Sequence, residues 1–342
     1  MANNRIVILG IESSCDDTSA SVIVDGKIRS NLIARQDIHE QYGGVVPELA
    51  SRAHQQNIIP VVDAALKQAG VSKDELSGIA FTAGPGLMGA LLVGVSFAKS
   101  LALSLDIPLI EVNHMQGHIL AHFIEKPNEN KSKPSFPFIC LTVSGGHTQL
   151  VKVSDYFDMK IIGETLDDAA GEAFDKMAKV LGFPYPGGPL IDKIAKEGDA
   201  TRFHFTHPRT REYNYSFSGL KTQFINFIRN CERDDPDFVQ KNKADICASI
   251  QDTIIKTLFS KLKKAADDNG INQVAIAGGV SANSQLRKDL EILGEKKRWN
   301  TFIPEFQYCT DNAGMIAMAG YFKFLKKEFV SQEITANPRM KF

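Results

Sequence analysis

Cysteine pairs, an excess of one charge and a long unbroken apolar run are all missing from this 342-residue chain. Its five cysteines, Cys15, Cys140, Cys231, Cys247 and Cys309, are odd in number and widely separated, with no Cys-x-x-Cys pair. That pattern excludes a disulfide scaffold and a structural zinc ribbon and points to a reducing, cytoplasmic compartment. Lys plus Arg total 39 against 40 for Asp plus Glu, a formal charge of −1. A nucleic-acid binder working through bulk charge would be strongly basic, so any such contact must be a local patch. The opening MANNRIVILGIESS has too short an apolar run before Glu12 for the core of a signal peptide. Gly78 to Ala98 is mostly apolar, but Gly84-Pro85-Gly86, Gly89 and Gly94 interrupt it. A strand, a glycine turn and a buried helix explain it better than a membrane span. No Gly-x-x-x-x-Gly-Lys-Ser/Thr is present, which excludes a P-loop enzyme.

What is present is the composition of a folded protein, 43% apolar and 23% charged. At ~150 residues per domain, the length suits two domains. RIVILGIE, SSCDDTS and ASVIVDGKI read as a β-hairpin with Asp16 and Asp17 at its polar tip. A helix follows over Pro47–Gly70, then strand GIAFTA, turn GPG, a helix to about Leu105, strand PLIEV and a helix from Asn113. Residues 126–135 are polar, charged and Pro-flanked, the best candidate boundary. The second half repeats the plan: hairpin PFICLTVSGGHTQLVKV, then strand NQVAIA with a glycine turn, helix, strand TFIPE, polar turn and helix. Alternating strands and helices argue α/β, and the repeat implies two similar lobes with a cleft between them. The lobes are expected at 1–125, joined by a final helix over about 323–342, and at 136–322.

His114 and His118, at i and i+4, share one helix face and can take a divalent ion; packing at a helix start explains them equally well. A zinc protease would carry its glutamate base directly after the first histidine, where Met115 stands. The better candidate for a third ligand is Asp311, in the corresponding turn of the second half, rather than His122; Asp311 is also a natural N-cap. Two histidines and a carboxylate with open positions suit Fe(II) or a catalytic Zn(II). If the halves are related by a pseudo-two-fold axis, such an ion bridges both lobes.

Ser144-Gly145-Gly146-His147, Gly187-Gly188 and Gly278-Gly279 are glycine turns of the kind that attract phosphate, and together they suggest a nucleotide cleft. Thr165–Lys179 reads as a helix with Asp168, Glu172 and Asp175 on one face, and Asp175 is a candidate for a ribose or base hydroxyl. Arg202–Lys221 interleaves Arg202, Arg209, Arg211 and Lys221 with five aromatics, which fits either stacking and phosphate contacts or an ordinary connection.

GIESSCDDT, YGGVVPELASR, TAGPGLMGALLVG, NHMQGH, VSGGHTQL, GEAFDK, YPGGP, SFSGLKT, AGGVSAN and CTDNAGMIA, in this order, resemble the tRNA N6-adenosine threonylcarbamoyltransferase family over nearly the whole chain. The resemblance implies a two-lobe fold of the actin/sugar-kinase type. It implies metal-dependent transfer of a threonylcarbamoyl group from threonylcarbamoyl-AMP to N6 of adenosine 37, just 3′ of the anticodon, in tRNAs reading codons that begin with A. It places the metal, Fe(II) in preference to Zn(II), on His114, His118 and Asp311. The adenylate falls on Thr142, Val143, Ser144, Gly145, Gly146, Asp175, Gly188, Asp192 and Asn283, and Asp16 or Asp17 is the candidate proton acceptor. A smaller subunit of the same fold and a separate P-loop ATPase are the implied partners, with no membrane. An ATP-dependent phosphotransferase of the same fold and a metalloprotease are the rival readings.

Overall fold

The computed structural model describes residues 5–129, 131–207 and 210–342. In chain order the elements begin with β1 (Val7–Glu12), β2 (Thr18–Val24), β3 (Lys27–Ala34), α1 (Pro47–Ala69), β4 (Gly78–Gly84), α2 (Met88–Leu105), β5 (Leu109–Asn113) and α3 (His114–Leu120). Next come β6 (Phe138–Val143), β7 (Thr148–Val153), β8 (Met159–Glu164), α4 (Ala170–Val180), α5 (Gly188–Ala195), α6 (Ser218–Asp234) and α7 (Phe238–Asn269). The chain continues with β9 (Gln273–Ala277), α8 (Ser284–Lys297), β10 (Asn300–Phe302) and α9 (Ala313–Lys326). Two units result: Met1–Lys133 with Pro304–Phe342, and Pro134–Ile303.

Each unit carries a five-stranded sheet, ordered β3-β2-β1-β4-β5 in the first and β10-β9-β6-β7-β8 in the second. The pairings also match. β1 with β2 and β2 with β3 are antiparallel, while β1–β4 and β4–β5 are parallel. In the second sheet β6–β7 and β7–β8 are antiparallel, while β6–β9 and β9–β10 are parallel. The duplicated α/β plan is therefore real, although β3 and β8, the edge strands that widen each sheet, have no separate signature in the sequence.

In the first unit the central strands are buried along their length, and alternate residues serve opposite faces. Leu9, Ile11, Ile79 and Phe81 join a core with Ile58 and Val62 of α1 and Val95 and Ala98 of α2. Pro47 starts α1, and Gly70 closes it in the left-handed conformation at φ 64°. α2 is long and apolar enough to cross a membrane, but its Ala90, Leu91, Val95, Ala98 and Ala102 are buried within this unit.

The other sheet face is covered by α9, because two glycines let the backbones meet. A Cβ at Gly10 would lie 2.6 Å from Ala313 O and Ala317 N, and one at Gly320 would lie 2.3 Å from the Ala80 Cβ. Residues 304–322, which the sequence reading ends the second lobe with, consequently belong to the first unit. Asp311 goes with them. The expectation that one ion draws ligands from both lobes is corrected: the three proposed ligands all belong to one unit.

In the second unit β6 packs through Ile139, Leu141 and Val143 against Phe174 and Met177 of α4, Phe224 of α6, and Ile250, Ile254 and Leu258 of α7. The helix read over 165–179 begins only at Ala170; Thr165 Oγ1 donates to the Asp168 carbonyl before it, so Asp168 precedes the helix. The aromatic-rich segment after residue 202 is mostly core. Tyr215 and Phe217 are fully buried, and Phe205 packs on Phe224 and Phe227. These rings pack inward and offer no face for base stacking, while Arg211 is exposed and Arg209 lies outside the described residues.

Candidate active site

Glu12 ends β1 with its carboxylate completely buried. Oε2 accepts from Thr82 Oγ1 at 2.6 Å and faces His114 Nδ1 at 3.1 Å, while Oε1 accepts from the Ser14 backbone N at 2.5 Å. Ser14 Oγ also lies 3.1 Å from His114 Nδ1. The turn holding Ser13 and Ser14 presses onto α2 and the turn before it: a Cβ at Gly94 would meet Ser13 Oγ at 2.2 Å, and one at Gly86 would meet Ser14 O at 2.5 Å. Behind the turn His54 of α1 contacts Thr18 Oγ1 through Nδ1 and the Cys15 carbonyl through Nε2. Since a carbonyl only accepts, Nε2 carries the proton and Nδ1 accepts from the hydroxyl.

α3 follows β5 directly, capped by Asn113, whose Oδ1 accepts from Met115 N and Gln116 N. Its first and fifth residues are His114 and His118, with ring centroids 4.7 Å apart at 88°. Asp311 precedes α9, and its Oδ1 lies 3.2 Å from His118 Nε2 and 3.4 Å from His114 Nε2. One ligand atom from each of the three lies within 4.8 Å of the others. Both imidazoles thus aim Nε2 at one carboxylate, and Glu12 holds the far nitrogen of His114. A carboxylate on the non-ligating nitrogen is what orients a metal-bound histidine. The donor set of two imidazoles and one carboxylate therefore fits a divalent ion. His122 is buried in the short 3₁₀ turn after α3 and stands outside this group.

Charge couples the site together. Burial disfavours the His114 imidazolium, but Asp311 and Glu12 outweigh it and hold His114 well above its ordinary value. Burial dominates for His118 and pushes it down. Burial also raises Asp311, yet His114 and His118 more than offset it and keep this carboxyl far below its usual range. Asp17, on the same turn as Asp16, is pushed up to about 7 by burial, by the Asp16 charge and by the Asp311 charge, with Arg35 opposing.

The second unit gathers glycine turns around its own sheet. Ser144 N donates to His147 O at 2.8 Å, closing the hairpin turn and leaving Gly145 and Gly146 exposed. Gly171 N donates to Ser144 O, and a Cβ at Gly278 would lie 2.4 Å from Val143 O, so α4 and the turn after β9 abut this hairpin. Thr142 and Val143 are fully buried in β6, so their side chains support the turn from beneath. Asp175 Oδ1 accepts from Gly187 N at 2.9 Å and Gly188 N at 3.1 Å. Burial raises its carboxyl despite those two amides. Asp192 uses both oxygens on Ser284, and Asn283 caps α8 through Leu286 N while its Nδ2 donates to Gln251 Oε1.

A family model described as TsaD, tRNA N6-adenosine threonylcarbamoyltransferase, matches residues 27–318. The chain belongs to this family. A tRNA N6-adenosine threonylcarbamoyltransferase of Christiangramia forsetii is 61% identical over the full length of both chains. Another, from Cytophaga hutchinsonii, is 58% identical over 98% of this chain and 96% of its own. Among solved structures, T. kodakarensis HypF superposes with a TM-score of 0.63 at 14% identity, over 97% of this chain and 49% of that one. The (R)-2-hydroxyglutaryl-CoA dehydratase component A of Acidaminococcus fermentans gives 0.52 at 16% identity, over 93% and 98%. These two show the fold alone, which is of the actin/sugar-kinase type. As a member of the threonylcarbamoyltransferase family, the chain is an acyltransferase of tRNA modification.

The candidate site in this threonylcarbamoyltransferase family member also contains residues that the sequence alone does not single out. Glu12, Ser14 and His54 fix the histidine and the acidic turn, yet none has a partner at diagnostic spacing. The one available signal was a glutamate closing an otherwise apolar strand.

Proposed function

We propose that this chain transfers the threonylcarbamoyl group of threonylcarbamoyl-AMP to N6 of adenosine 37 in tRNAs that read codons beginning with A. The observation that carries the reading is the convergence of His114 Nε2, His118 Nε2 and Asp311 Oδ1 beside an acidic turn. A divalent ion held by these three, Fe(II) in preference to Zn(II), would polarise the carbamoyl carbonyl as a Lewis acid. Adenine N6 is a weak nucleophile, so the donor must be an activated anhydride. Adenine N6 bonds to the carbamoyl carbon, the carbon–oxygen bond to phosphate breaks, and AMP leaves with that electron pair. The proton released from N6 passes to Asp17 or Asp16; the Asp17 carboxyl, pushed up to about 7 by burial and by the Asp16 and Asp311 charges, suits that task.

The exposed amides of Gly145 and Gly146 support a phosphate-binding role for the stretch Thr142–Gly146. Asp175 with Gly188 is assigned to the ribose, and Asn283, braced by Asp192 through Ser284, to the remainder of the adenylate. The chain lacks a P-loop, so ATP hydrolysis is assigned to a separate ATPase, with a smaller subunit of the same fold as second partner and the cytoplasm as location. Met115, buried where a zinc protease would keep its base, speaks against peptide hydrolysis.

The test incubates the chain and both partners with threonylcarbamoyl-AMP and unmodified tRNA, then digests the tRNA and analyses its nucleosides. Threonylcarbamoyladenosine is expected. Its absence with all components present, or phosphoryl transfer from ATP by this chain alone, would contradict the reading.

A further inference from the structure

Residues 328–342 run as a strap over the first unit, and its last contact is made on Asn113, the N-cap of the helix that carries both histidines. Val330 N donates to Leu109 O at the start of β5, and Lys99 Nζ of α2 donates to Ile334 O. Asn337 N donates to Ala83 O at 2.7 Å, and Gly86 N donates to Pro338 O. The strap lies so close over β4 that a Cβ at Gly84, at φ 154°, would fall 1.9 Å from Asn337 O. Finally Asn113 Nδ2 donates to Lys341 O at 3.0 Å. The same side chain uses its Oδ1 on Met115 N and Gln116 N. Asn113 is 2% exposed, so neither end of its amide has water as a substitute.

We infer that Asn113 is a positioning residue for the metal site, and that the strap sets its orientation through Lys341 O. An amide has a donor end and an acceptor end. Fixing the donor on the strap leaves the acceptor pointing at the first turn of α3, which fixes the helix start and with it the first imidazole. α3 has seven residues, too few to hold its own position without such anchors. The strap is thus part of the ligand geometry, although none of its side chains belongs to the ligand group. This inference rests on the metal reading proposed above.

The test uses the full chain and cobalt(II) alone as a spectroscopic probe of ligand number and geometry. Asn113→Ser keeps a good N-cap but cannot reach Lys341 O. Gly84→Ala keeps the Asn113 side chain and displaces the strap, although Gly84 pairs with Asn113 across β4 and β5. Each variant is expected to weaken cobalt affinity about tenfold and to change the visible ligand-field bands, the size seen for other supports of metal ligands. The double variant should lose no more than either single one, because both release the same contact. Melting temperatures, measured without metal, identify a variant that is merely unfolded. Cobalt affinity and spectrum unchanged in both folded variants, or losses that simply add, would overturn the inference. If the unaltered chain binds no cobalt at all, it is the metal reading that fails, and the strap inference falls with it.

Discussion

At the residue level, His114 lies between two carboxylates, Glu12 on Nδ1 and Asp311 on Nε2. Without metal both acids favour its imidazolium and raise its affinity for the proton above the ordinary histidine value. A metal must displace the Nε2 proton, so affinity should rise with pH and each ion bound should release about one proton. Calorimetry in buffers of different ionisation enthalpy measures this directly, and a buffer-independent heat would be the contrary result. Glu12→Gln keeps an acceptor for Nδ1 but lowers ligand basicity, and should weaken metal binding by roughly 10–100-fold. Asp17 should give the transfer rate an inflection at about pH 7, with activity on the alkaline side, which Asp17→Asn removes. Its carboxyl is raised in the fold, so the folded state binds the proton more tightly than the unfolded chain. The contribution of Asp17 to the stability of the metal-free protein should therefore fall as pH climbs from the ordinary aspartate range toward 7, and Asp17→Asn should remove that share of the pH dependence. A thermal-denaturation series in the two proteins checks the sign.

At the level of elements, the hairpin around Asp16 and the helix bearing His114 and His118 were legible because periodicity and i, i+4 spacing are local properties. The home of α9 was not. A symmetric repeat predicts the turn that carries Asp311, but not which sheet the following helix covers. That is decided by a long-range fit of Gly10 and Gly320 against Ala317 and Ala80. The same limit hid the burial of Tyr215 and Phe217, since alternation with cations reads alike for a core edge and for a stacking surface. Gly320→Leu should push α9 off β4, destabilise the protein by at least the ~1–3 kcal/mol of an overpacked core, and lower metal affinity by moving Asp311. Chemical denaturation and metal titration of that variant test both parts. Normal metal affinity in a folded Gly320→Leu protein would separate the ligand from the helix packing.

At the level of the whole molecule, the family is established by full-length likeness, and the fold repeats one sheet plan in two units. With a net charge of −1, tRNA contact must rely on local cations. Arg211 is an exposed one in the second unit. If it touches phosphate, Arg211→Ala should weaken tRNA binding and lower the salt slope by about one, leaving adenylate binding intact. The most direct measurement determines metal content and threonylcarbamoyladenosine formation side by side, in the unaltered protein, Asp311→Ala and His122→Ala. Asp311→Ala should lose the ion and the transfer together, although it lies far along the chain from both histidines, and His122→Ala should keep both. A full equivalent of metal or undiminished transfer in Asp311→Ala, or loss of metal in His122→Ala alone, would contradict the three-residue centre.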